Sequence, residues 1–287
     1  METDNPEDQI RSPEEVRRLK RLMAKITRIF SGQRGLTTVP GEGWSCGFRN
    51  GDRFERLLLG YLRGEISEAE LDQEDLSTFI PTSLTYDESW VGTKPEDVIK
   101  GILRHEIGHA RHSDYKLVAK GQRFAIDDGH LPSTYMGSWN AREDPWVNNR
   151  EMQDSETVRA QMTELYRHSL PMVLNELRGG KSSLGRQLGL RDMLEWMRNE
   201  LGVIDQATLD ELDSKFLDPR VVEAFQKTKG PSQRFFNPNN TAEENFGIMR
   251  DEIWPIVKEL EVEDFKDEVI KQLGQPQPGQ GQPSDQG

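Results

Sequence analysis

Apolar residues return at helical spacing from the start of the chain. Val16, Leu19, Met23, Ile26 and Phe30 fall on one face of a predicted helix, with Arg17, Arg18, Lys20, Arg21, Lys25 and Arg28 distributed around the rest. Ser12 and Glu15 have capping-box spacing, Pro13 suits the first turn, and Gly32 and Gly35 follow the last apolar position. Residues 36–64 mix glycines with apolar runs and predict strands near 43–49 and 54–62. A short acidic helix is expected over 67–74. Residues 78–86 read as extended, and Pro81 restricts that segment to an edge strand. A helix over 94–120 carries the stripe Val98, Ile99, Ile102, Leu103, Ile107 and Ala110. Thr93 and Glu96 have the spacing to cap it, Pro95 fits its first turn, and Gly121 fits a stop.

Beyond it the pattern predicts a loop over 121–139, a helix from about 140, and a long helix over 149–177. After Gly179 and Gly180 come helices at 189–201, 206–216, 218–228, 242–261 and 263–273, with Thr241 and Glu244 spaced as another capping box. The expected fold is therefore α+β and predominantly helical. One domain spans 11–273, with an N-terminal lobe to about 139 and a helical C-terminal lobe from about 140. Residues 1–10, acidic and polar, and the Gln/Pro/Gly tail 274–287 lack the apolar content to build a core and are expected to be disordered. No internal repeat is visible.

Composition narrows the function classes. A net charge of −13 argues against a general nucleic-acid binder, whose phosphate contacts need clustered Lys and Arg. Cys46 is the single cysteine, so no intrachain disulfide forms, which fits a reducing compartment. The N-terminus has no apolar signal core and no long apolar run occurs. The expectation is a cytoplasmic protein that neither enters nor crosses a membrane. The basic face of the first helix and the C-terminal tail are the candidate surfaces for a protein partner.

The chemistry concentrates in RHEIGHARH, which holds three of the five histidines. His105 and His109 are four residues apart, so on a helix they share a face about one turn, or about 6 Å, apart. Their imidazoles can converge on one ion at the about 2.0–2.1 Å of a zinc–nitrogen bond. Glu106, rotated by about 100°, cannot easily share that ion but can reach water on its open side. A metal that acidifies water beside a carboxylate that takes its proton is the arrangement a zinc hydrolase uses. His112 lies about 10.5 Å along the axis from His105, too far for both to bind one ion. A third protein ligand must come from elsewhere.

ILRHEIGHAR resembles the active-site helix of zincin metallopeptidases, with uncharged Ile102, Leu103, Ile107, Gly108 and Ala110 in the usual surroundings and Arg111 departing from a commonly apolar place. The resemblance implies a small sheet lying over that helix, an edge strand beside the cleft, for which 78–91 is the candidate, and substrate backbone pairing with it. The metzincin continuation fails, since His112 and Tyr115 stand where Gly and His are required. Trp139–Glu151, WNAREDPWVNNRE, is similar to a downstream element of bacterial proteins read as gluzincin-like metallopeptidases, some joined to von Willebrand A-like domains. That likeness implies Glu143 as the third ligand, with Asp144 and Glu151 as rivals. Asn140 and Glu143 also have the spacing of a helix cap, which would occupy Glu143 instead. Asp144 or Asn148 could orient a ligating imidazole from outside. Tyr135, His130, Tyr166 and His168 are the available oxyanion donors, and the sequence does not choose among them.

The reading is thus a zinc-dependent metallopeptidase with His105, His109 and Glu143 on Zn2+, Glu106 as general base, and a peptide or protein substrate. Its rivals are a metal-holding scaffold without turnover and a zinc amidase acting on a non-protein amide.

Overall fold

The computed structural model describes residues 10–30, 36–48, 51–74, 81–153 and 155–274. The acidic N-terminus up to residue 9 and the tail from 275 lie outside them. The molecule is predominantly helical with one small sheet, an α+β arrangement. No helix among the described residues is long and apolar enough to cross a membrane.

Helix α1 (Pro13–Phe30) starts where the sequence predicts: the Ser12 hydroxyl accepts from Glu15 N–H, and the Glu15 carboxylate accepts from Ser12 N–H. Strands β1 (Thr37–Gly41), β2 (Ser45–Phe48) and β3 (Pro81–Asp87) form a sheet of order β1-β3-β2, β1 parallel and β2 antiparallel to β3. β3 is therefore the central strand, not an edge. Pro81 is its first residue, where a missing N–H is tolerated. Cys46 lies on β2.

The strand expected over 54–62 is instead helix α2 (Gly51–Leu62). Leu57, Leu58 and Tyr61 lie on one side of it and pack with Leu71 of α3 (Glu68–Gln73) and with Ala119. The apolar run has a helical period that its density of leucines obscures. Ser67 and Glu70 close the capping box of α3.

α4 (Glu88–Thr93) leads into the central helix α5 (Glu96–His112). The expected single helix over 94–120 is two. α5 stops at Ser113, and Asp114 caps α6 (Tyr115–Asp127) by accepting from Lys116 and Leu117 N–H. The Thr93–Glu96 box does not form. Pro95 is the N-cap residue, Thr93 donates to Ser89 O, and Glu96 pairs with Arg18 of α1. Gly121 sits inside α6 rather than ending it, because a Cβ there would lie 2.1 Å from the Tyr135 ring.

The predicted loop over 121–139 is mostly helix, since α6 runs to Asp127 and α7 (Pro132–Met152) starts at Pro132. α8 (Glu156–Gly179), capped by Ser155, follows a break near Gln153, so the expected helix over 149–177 is divided between the end of α7 and α8. The C-terminal lobe continues with α9 (Leu184–Trp196), a π-helical turn (Met197–Leu201), α10 (Gln206–Lys215) and α11 (Pro219–Phe235), the last absorbing Pro231. α12 (Ala242–Ile248), a second π turn (Met249–Ile253) and α13 (Trp254–Gly274) then run on without the break expected near 262.

α5 lies between two cores. On one side Ile99, Leu103 and Ile107 pack with Leu84 and Tyr86 of β3 and with Leu19, Met23 and Ile26 of α1. Arg18 and Lys20 of the basic helix pair with Glu96 and Glu88, so part of its charge is engaged within the molecule. On the other side α7, α8, α9, α11 and α13 enclose the larger core, in which Trp139 and Trp146 are buried anchors, as expected. Buried Arg142 of α7 pairs with Asp192 of α9, which ties those helices together where neither charge meets water.

Two glycines set how near the neighbours come. A Cβ on Gly101 would lie 2.4 Å from Gln161 O of α8, and one on Gly108 would lie 2.4 Å from Val147 Cγ1 of α7. The obstacle at Gly101 is backbone, which cannot rotate aside. Gly101→Ala should therefore force α5 and α8 apart and cost about 1–3 kcal/mol of stability, as overpacking does. Urea unfolding checks this, and an unchanged midpoint would show that the two helices tolerate separation.

Candidate metal centre

The site is built on α5 and closed by α7. With that stripe of α5 buried against the sheet, His105 and His109 lie on the side that faces α7. Gly108 then lets α7 approach. Asp144, Val147, Asn148 and Glu151 recur at intervals of three and four along α7, so they face α5 together.

His105 Nε2 and His109 Nε2 lie 3.3 Å apart, with the ring planes at 89°. Asp144 Oδ1 is 3.2 Å from His109 Nε2 and 4.0 Å from His105 Nε2. These three atoms belong to the one group among the described residues whose potential metal-ligating atoms lie mutually within 4.8 Å. Ligands at about 2.0–2.1 Å around a tetrahedral zinc are separated by about 3.4 Å. Two of the three separations match that edge, and the third closes with a small rotation of the part-exposed Asp144 side chain. The donor set, two imidazole nitrogens and a carboxylate, suits zinc.

Each imidazole is held from its far edge. His105 Nδ1 is 3.0 Å from Asn148 Oδ1, an arrangement in which a ring proton on Nδ1 leaves the Nε2 lone pair facing inward. Asn148 Nδ2 donates to the Tyr166 hydroxyl at 2.7 Å. His109 Nδ1 lies 2.8 Å from Ser113 Oγ. Asn148 is among the orienting residues the sequence suggests. Ser113, one turn beyond His109, is missed there because a serine after a helix has many commoner uses.

The structure brings Asp144, not Glu143, to the two Nε2 atoms. Glu143 is buried on the other edge of His109, its Oε2 3.8 Å from Nδ1. Burial raises its carboxyl pKa, with the His109 charge pulling the other way. The alternative of a helix cap also fails, because Asn140 and Glu143 both lie inside α7. Glu151 accepts from Arg111 Nη1 at 2.7 Å and pairs with His112 Nε2 at 3.0 Å. That pairing explains a charged residue at position 111 and engages His112 away from the cluster.

Of the four oxyanion candidates, Tyr166 is joined to the cluster, through Asn148. Burial, with the Asp144 charge adding, raises its pKa well above the usual tyrosine value, so it stays neutral. Tyr135 is buried between Trp139 and Trp254, His130 pairs with Glu261, and His168 packs edge-on to Trp90. A cleft of about 500 Å³, lined by Asn149, Trp196, Asn199, Phe236 and Asn237 among others, contains none of the cluster residues.

Electrostatics single out the same place. Burial opposes a charge on His109, yet the bond to Asp144 and the charges of Asp144, Glu143 and Glu106 outweigh it and raise the pKa to about 9. Asp144 moves down: burial would raise it, but His105 and His109 more than compensate. Without metal, a proton on His109 thus supplies the positive charge that the converging lone pairs and carboxylates attract. Because the folded pKa lies above the ordinary 6.5, its stabilising contribution is complete below about pH 6.5 and vanishes as pH rises through about 9. It is at most about 3 kcal/mol, and less given the part-exposed Asp144. Chelator-treated protein should lose stability in urea between about pH 7 and 9, and bound zinc, which displaces the proton, should abolish that decline. A flat profile without metal would contradict the assignment.

No protein-family model, no curated protein and no solved structure matches the chain.

Proposed function

We propose that the chain is a zinc-dependent metallopeptidase of the HExxH type, with His105, His109 and Asp144 holding the ion and Glu106 as general base. One observation carries the proposal. Two imidazole lone pairs and one carboxylate oxygen face each other at separations near the edge of a zinc tetrahedron, while both Nδ1 atoms are engaged elsewhere.

When bound, zinc supplies Lewis acidity that polarises a carbonyl and acidifies water. The protein's own part follows from its side chains. Asn148 and Ser113 hold the two rings so that Nε2 faces the ion. Glu143, in place of the third-ligand role implied by resemblance, backs His109 from behind. Glu106 is buried and its negative charge is among those that raise the His109 pKa, which supports a place for it beside the cluster. Its carboxylate takes the proton of the attacking water and returns it to the nitrogen of the leaving amine. The edge strand packed against α5 is β2, so β2 replaces 78–91 as the strand on which a substrate backbone would pair.

Purified protein should contain one zinc per chain. Asp144→Ala should weaken zinc binding beyond the about 10–100-fold that loss of an outer partner costs, while Glu143→Gln should stay within that range. The reverse ranking would give the third-ligand role to Glu143. Glu106→Gln should retain zinc and lose about 10²–10⁴ in peptide cleavage. Zinc-loaded wild type that cleaves nothing in a broad peptide library would remove the peptidase reading, and cleavage confined to small non-peptide amides would make the protein an amidase.

A further inference from the structure

Arg104 is buried on α5 with 6% of its surface exposed, and it forms no hydrogen bond or ion pair with any described residue. An arginine keeps its charge in proteins, so its burial is not relieved by losing a proton. A buried guanidinium ordinarily has a carboxylate bonded to it. Here Glu151 is the carboxylate whose charge acts on Arg104, but its Oε1 already holds Arg111 Nη1 at 2.7 Å and His112 Nε2 at 3.0 Å, and the charge of Arg111 opposes that of Arg104. Two permanent positive charges therefore share one negative charge. What touches Arg104 instead is Phe30, the last residue of α1, whose ring centroid is 3.4 Å from Cζ. At that distance the flat guanidinium lies against the ring face. Stacking engages the face and leaves the N–H groups, which radiate in the plane, available. Nε is sealed from water without an acceptor, whereas Nη1 and Nη2 are not sealed. Thr27, one turn back from Phe30 on α1, is fully buried, and its hydroxyl has no partner either.

We propose that Arg104, stacked on Phe30, anchors an oxyanion site at the junction of α1 and α5 that takes the phosphate or carboxylate group of a ligand. Buried polar groups left without partners mark places where something else completes the bonding. The surplus positive charge selects an anion, and the planar fork of a guanidinium matches two oxygens of one phosphate or carboxylate. Phe30 holds the plane of that fork without competing for its N–H groups. Arg111, whose side chain is 41% exposed, adds a second positive charge near the opening. In a chain of net charge −13, this concentration of positive charge draws anions to one place. Arg104 is turned by about 100° from His105 around α5 and meets α1, so the site is separate from the metal cluster and does not depend on the metal reading.

Titration calorimetry of the metal-free whole chain with sodium phosphate, and separately with sodium acetate, tests this at an ionic strength held constant with sodium chloride. Wild type should take up one phosphate or one acetate per chain, saturating in the millimolar range or below. Its urea midpoint should rise with the same anion, as it does for any ligand that binds only the folded chain. Arg104→Leu should lose both the uptake and the rise. Arg104→Lys, which keeps the charge without the fork, should bind about tenfold more weakly. Phe30→Ala should weaken binding about two- to fivefold through loss of the stacking. Phe30 is 42% exposed at a helix end, so this variant serves if the Arg104 variants do not fold. Wild type that takes up neither anion overturns the proposal. So does a folded Arg104→Leu, or in its place Phe30→Ala, that binds as wild type does, because the anions would then sit on exposed arginines elsewhere.

Discussion

The closeness of α7 to α5 is the constraint on which the site depends. Gly108 offers no Cβ, Val147 occupies that space, and the two helices meet along a line of small and buried groups. At that separation a short carboxylate such as Asp144 reaches the imidazoles of the neighbouring helix, and an amide such as Asn148 reaches the outer edge of one of them. A Cβ at position 108 would lie 2.4 Å from Val147 Cγ1 and 3.1 Å from Glu151 Cγ, so those side chains would have to give way. Gly101, two turns earlier, likewise admits α8, the helix that carries Tyr166. α5 is thus gripped on both sides, by α7 side chains at Gly108 and by α8 backbone at Gly101.

The electrostatic logic follows from that geometry. Two nitrogen lone pairs at 3.3 Å with carboxylates around them form a concentrated negative region that is poorly solvated. Such a region favours positive charge, which a proton on His109 supplies in the metal-free protein. Glu143 shows the opposite response to the same burial. It lies on the far edge of the ring, its carboxyl pKa rises, and one of its oxygens has no hydrogen-bond partner. Neighbouring carboxyls on one helix therefore take different characters, because about 100° of rotation puts one before the imidazole pair and the other behind it.

The chain carries its bulk stability away from this cluster. The buried tryptophans of α7, α9 and α13 and the Arg142–Asp192 pair lock the helical lobe, while the sheet and α1 brace α5 from behind. That division leaves the cluster free to combine groups that would be costly in a purely structural core, several carboxylates beside two imidazoles.

Much of this was legible in the chain itself. The helical stripe from Val98 to Ile107 and the four-residue spacing of His105 and His109 are local facts, since a 3.6-residue period alone puts both rings on one face. The predominantly helical character, the start of α1 and the capping box at Thr241 follow in the same way from short-range rules. The choice of Asp144 over Glu143 does not. The two are adjacent in sequence, and which one confronts α5 depends on the rotation of α7, fixed by what Trp139, Trp146 and Val147 bury against distant helices. The central place of β3, the helical nature of 51–62 and the partner of Asn148 likewise arise only when remote segments pack. Local periodicity determined the histidine pair; helix rotation, a property of the packed whole, decided which carboxylate stands beside it.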